Sequence, residues 1–68
     1  MEYAVIIEGS APHYSAYVPD LPGCVAAADS VPAVTQLMRE AIQMHLRGMR
    51  EDGDPIPAPS CIAIQVAV

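Results

Sequence analysis

One helical segment dominates the chain and decides what can be built around it. Asp29 and Ser30 precede Val31 and Pro32, and Gly53 follows Arg50, Glu51 and Asp52. Ser30, or Asp29, can accept the unpaired N–H groups of a first helical turn. Pro32 is tolerated there because its missing N–H has no partner to lose. Gly53 is the expected stop, after Arg47 and Arg50 have placed positive charge near the C-terminal end. Between these signals Val34, Leu37, Met38, Ala41, Ile42, His45, Leu46 and Met49 recur at helical spacing along one face. Arg39, Gln43, Arg47 and Arg50 fall largely outside that stripe. An apolar stripe has to be covered, and in a chain of 68 residues the remaining segments have to cover it.

Those segments read as strands. In residues 2–8, Tyr3, Val5 and Ile7 alternate with Glu2, Ala4, Ile6 and Glu8, and β-branched residues are frequent. Gly9, Ser10, Ala11, Pro12 and His13 form a turn cluster. A second strand is expected at about 14–18 and a third at about 24–28. Short connections make these an antiparallel meander. After the helix, Asp54-Pro55-Ile56-Pro57-Ala58-Pro59-Ser60 can neither continue a helix nor pair centrally in a sheet, and favours a polyproline-like connector. Residues 61–68 alternate again, with Ile62, Ile64, Val66 and Val68 on one side and Cys61, Ala63, Gln65 and Ala67 on the other.

The expected fold is therefore α+β, in the order βββαβ: a four-stranded sheet with one helix packed on one face. A right-handed crossover sets the last strand parallel to the first and gives the order 3-2-1-4. Strand four is then an edge without charge or proline, an aggregation hazard unless paired or covered.

Size sharpens that point. A domain this small buries only about 60 % of its unfolded surface, and such scaffolds usually add disulfides, a metal or a second chain. Trp and Phe are absent and the only aromatic residues are Tyr3, Tyr14 and Tyr17, so the core is thin. One helix covers one sheet face, and Ala4, Ile6, Ala63 and Ala67 are candidates for the other. A homo-oligomer, dimer or tetramer, is expected, with its contact drawn from Ile6, Cys61, Ala63, Gln65 and Ala67.

The net charge is −5, and the only basic side chains besides histidine are Arg39, Arg47 and Arg50, all in the expected helix. That lacks the basic footprint of a direct nucleic-acid binder and suits a basic protein partner. No apolar run approaches the roughly 20 residues that span a bilayer. Cys24 and Cys61 follow no secretory leader, so two buried, reduced thiols in a cytoplasmic protein are expected rather than a disulfide.

Two motifs flank the helix. The first is Tyr17-Val18-Pro19-Asp20-Leu21-Pro22-Gly23-Cys24, followed by a short strand and Asp29-Ser30. The second is Gly53-Asp54-Pro55-Ile56-Pro57-Ala58-Pro59-Ser60. In this order and spacing the chain resembles, over nearly its whole length, the HicB family of antitoxins. The resemblance implies a partial ribonuclease-H-like βββαβ fold without that fold's catalytic carboxylates. It implies a role in neutralising HicA, a small basic toxin that degrades mRNA. Many family members add a C-terminal DNA-binding domain. This sequence ends at Val68, so a single domain over 1–68 without that addition is expected. The alternative is a stand-alone oligomeric scaffold or ligand-binding module, since solitary HicB-like proteins exist.

Two places could meet a partner. The loop bearing Asp20 and Leu21 is either a rigid strand connection, with Asp20 capping its own backbone and Leu21 plugging the core, or part of a toxin-facing surface. Glu51, Asp52 and Asp54 form either a solvated helix terminus or a patch that steers a basic partner. Chemistry finds little support. His13 lies in a turn and His45 beside the apolar stripe. A metal site would need His13, His45, Cys24 and Cys61 to converge from separate elements, without metal-ligand spacing. A nucleophilic Cys24 or Ser60 would need a histidine and an orienting group beside it. Glu2 and Glu8 lie at opposite ends of one strand, unlike the clustered carboxylates of a two-metal nuclease. No catalytic, cofactor-binding or metal-binding residue is expected.

Overall fold

A computed structural model describes residues 1–68. Three strands, β1 (Ile6–Ser10), β2 (His13–Tyr17) and β3 (Val25–Ala28), precede one helix, α1 (Val31–Asp52). The fold is α+β: a three-stranded antiparallel meander in the order β1-β2-β3 with a single helix laid on it.

Register sorts the side chains onto two faces. Ile7 pairs with Ala16 and Ala16 with Ala26, while Gly9 pairs with Tyr14 and Tyr14 with Ala28. These rows face the helix. Ile6, Tyr17 and Val25 make a cross-strand row on the opposite face, as do Glu8, Ser15 and Ala27. The small residues of β2 and β3 let the helix approach closely. Ala16, Val18, Leu21, Cys24, Val34 and Met38 form the buried core.

The helix begins and ends where its signals lie. Ser30 is the N-cap, and its hydroxyl oxygen accepts the Ala33 N–H at 3.2 Å. Gly53 closes the helix in the left-handed region, at φ 73°, where a side chain is disfavoured. Its N–H donates to the Arg50 carbonyl, and the Asp54 N–H donates to that of Met49. Val34 and Met38 are the fully buried part of the stripe, and Ala41, Ile42, Leu46 and Met49 are half-buried against the core. Leu37, at the margin of the stripe, is 42 % exposed.

The strands differ from expectation in three ways. First, β1 starts at Ile6 rather than near residue 2 and runs through Gly9 and Ser10 to a turn at Ala11 and Pro12, whose peptide is cis. Its only neighbour is β2, whose last paired residue, Tyr17, faces Ile6, so residues 2–5 have no strand to join. Second, β1 bends through Gly9 at φ 108°, and a Cβ there would collide with the His13 carbonyl. The glycine is required within the hairpin and not only at its turn.

Third, the expected fourth strand does not form. Residues 61–68 make no ladder, and the sheet stops at three strands. The sheet therefore has three strands in the order 3-2-1, in place of the four expected in the order 3-2-1-4. Alternation in the sequence supplies a strand's two faces but not a neighbour to pair with. Ile62, Ile64, Val66 and Val68 are at least 72 % exposed. This tail stretches the molecule to 41 × 26 × 16 Å, with a radius of gyration of 12.9 Å. A compact chain of this length would have about 11 Å.

Candidate functional site

The loop between β2 and β3 is a folded object. Pro19 and Pro22 restrict the backbone, and Gly23 adopts φ 84°. The Leu21 N–H donates to the Val18 carbonyl at 3.1 Å, and the Cys24 N–H to that of Leu21 at 3.0 Å. A further bond from the Val18 N–H to the Cys24 carbonyl, at 3.2 Å, closes the loop. Leu21, 1 % exposed, is driven into the core between sheet and helix. It is the plug beneath the loop, and the surface above it belongs to its neighbours.

Asp20 is one of them, and of its two expected roles the cap on its own backbone is not the one it takes. Its carboxylate accepts the Ser60 N–H at 2.9 Å, the Ser60 hydroxyl, and the Cys61 N–H at 3.2 Å. These bonds favour the ionised carboxyl and hold Asp20 below its ordinary range. The loop thus grips the proline-rich connector where the tail begins. A second anchor lies upstream, where the Tyr3 hydroxyl donates to the Pro57 carbonyl. Sequence gives no sign of either anchor, because their partners lie 40 and 54 residues apart.

Glu51, Asp52 and Asp54 are exposed around Gly53, with Arg50 in the last helical turn. They form an acidic terminus on a capped helix end. Ile6 is half-buried on the sheet face away from the helix, beside Tyr17 at 42 % and Val25 at 64 % exposure. Cys61, Ala63, Gln65 and Ala67 are exposed along the tail. The sequence does not assign Tyr17 and Val25 to a contact surface. The cross-strand pairing that puts them beside Ile6 is the missing signal.

A groove of about 610 Å³ separates α1 from the β1 side of the molecule. Met1, Tyr3, Val5 and Ile7 line one side and Met38, Ile42 and Leu46 the other, and Glu2, Arg39 and Arg50 add charge to the lining. It exists because the helix packs over β3 and β2 and lies off β1.

His13 is exposed at the start of β2, and His45 is half-buried on the helix. No group of three or more His, Cys, Asp or Glu side chains is placed to hold a metal ion. Both cysteines are free. Cys24 is buried, and desolvation pushes its thiol above the ordinary range. Cys61 is exposed rather than buried as expected, because the tail that carries it joins no sheet. No helix is long and apolar enough to cross a membrane.

Comparison with known proteins fits this architecture. The family described as the HicB-like antitoxin of bacterial toxin–antitoxin systems matches residues 3–67. The chain belongs to the family of HicB-like antitoxins. It is 39 % identical, over 57 residues, to an uncharacterized 14.9 kDa protein of the rep–hol intergenic region of Haemophilus phage HP1 (strain HP1c1). That alignment covers 84 % of this chain and 43 % of the phage protein, so the chain spans less than half of that relative. No solved structure matches.

Proposed function

We propose that this chain is an antitoxin that binds and occludes a small, basic, mRNA-degrading toxin of the HicA type. The observation that carries the reading, beside the family, is the acidic terminus of α1. Glu51, Asp52 and Asp54 stand exposed on a capped helix end in a chain of net charge −5. A fixed cluster of like charge accelerates encounter with a basic partner and orients it. Asp20 extends the acidic surface only in part, because its carboxylate is engaged by Ser60 and Cys61. Leu21 serves the reading by holding the loop rigid.

Occlusion requires no chemistry of its own. The protein acts here as a non-enzymatic binding module in the cytoplasm, where the toxin's mRNA is found, and meets no nucleic acid directly. The test is to look for a small basic protein encoded next to it and to co-express the two. The antitoxin reading expects growth to be restored and the two chains to copurify. The triple variant E51K/D52K/D54K should slow association at least tenfold at low salt and lose most of that difference at high salt. No rescue and no copurification would overturn the reading in favour of a stand-alone oligomeric module.

A further inference from the structure

The tail and the groove are complementary, and neither is satisfied within one copy. The groove wall repeats at every second residue, Met1, Tyr3, Val5 and Ile7. The tail repeats in the same way, and Ile62, Ile64, Val66 and Val68 fall on one face of any strand it forms. Each row covers six residue steps, about 20 Å at strand rise. The β1 edge beyond the groove has no strand on it, since β1 pairs with β2 alone. An unpaired edge beside an apolar cleft is a template for one more strand.

The connector sets the tail off in the wrong direction for its own groove. It first passes Tyr3, just ahead of β1, where Pro57 is held. It then crosses to the β2–β3 loop, where Asp20 holds Ser60 and Cys61. In the order β1-β2-β3 that loop lies beyond β2 from the free edge. The tail therefore starts displaced from the edge of its own sheet and leaves the molecule, with Ile62 89 % exposed.

We propose that residues 62–68 of one copy add as a strand to the free β1 edge of a second copy, seating Ile62, Ile64, Val66 and Val68 in that copy's groove, and that the exchange is reciprocal. Two copies related by a two-fold axis then satisfy two tails and two grooves, and the assembly closes at a dimer. The added strand supplies the neighbour that residues 2–5 lack, so β1 lengthens toward the N-terminus. An uncharged, apolar tail fits the apolar rows of this cleft better than it fits a basic protein. Glu51, Asp52 and Asp54 do not line the groove that receives the tail. The inference uses only parts of this chain and stands apart from the antitoxin reading.

Sedimentation equilibrium of the full chain, without any partner, at ~10 µM should give a dimer. In that dimer the backbone amides of residues 62–67 should exchange at least ~100-fold more slowly than coil amides. Chain identity is read from disulfides. In a C61S background, V5C is combined in turn with I62C, I64C and V66C, and at least one pair should give a covalent dimer on a non-reducing gel. A monomer at that concentration overturns the proposal. So does a dimer whose tail amides exchange at coil rates, which would place the contact elsewhere, such as the Ile6, Tyr17 and Val25 row. A disulfide formed only within one chain also overturns it, because each tail would then fill its own groove.

Discussion

Asp20 and Ser60, 40 residues apart, are joined by two hydrogen bonds into one carboxylate, from the Ser60 N–H and from its hydroxyl. That pair fixes where the connector ends and the tail begins. Replacing the carboxylate with an amide leaves the size of the side chain and removes its charge. In D20N the amides of Ser60 and Cys61 should exchange faster with solvent, while those of α1 are unchanged. Unchanged protection at Ser60 would show that the prolines alone hold the connector.

The same pair carries a pH dependence of known sign. The Asp20 carboxyl titrates below its ordinary 3.8 because the ionised form accepts these bonds. A depressed acid pKa means that the clamp's stabilisation is present above 3.8 and is lost as pH falls through the lowered value. The Ser60 amide resonance should therefore titrate with a midpoint below 3.8. A midpoint above 3.8 would contradict the geometry.

Leu21 is a stability residue. At 1 % exposure it occupies the centre of a core of six buried side chains. Truncation to alanine removes buried methyl groups and leaves a cavity, which costs about 2–5 kcal/mol. Against a total stability of about 5–15 kcal/mol, that is a large fraction. Urea unfolding of L21A should show a midpoint shift of matching size, or a chain unfolded in buffer. A loss below about 1 kcal/mol would mean that the loop collapses onto the core without its plug.

Two glycines with positive φ separate strain from collision. Gly53, at φ 73°, has open space where a Cβ would stand, so G53A costs about 1 kcal/mol for the left-handed backbone alone. Gly9, at φ 108°, adds a clash with the His13 carbonyl, and G9A should be more damaging. Thermal unfolding of the two variants ranks them. Equal losses would show that the β1–β2 hairpin shifts freely.

What the sequence made legible was local. Ser30, Pro32 and Gly53 announce the helix because caps act within one turn. The meander follows from strands too close in sequence to do anything but turn back. For Leu21 the sequence leaves a core plug and a partner-facing position both open, and burial at 1 % selects the plug. Residues 61–68 carry the alternation of a strand without becoming one here, since pairing depends on a neighbouring edge that no local pattern encodes. The Asp20 clamp and the β1–α1 groove depend on how distant segments meet. Cys61 was placed inside only because the strand that carries it was.

The Tyr3–Pro57 bond also bears on how the chain is made. Tyr3 is synthesised before its partner, which follows 54 residues later. At synthesis rates of about 5–20 residues per second, roughly three to eleven seconds separate the two. Through that interval the Tyr3 hydroxyl is without this acceptor, so the bond closes only after the helix and most of the connector have been made.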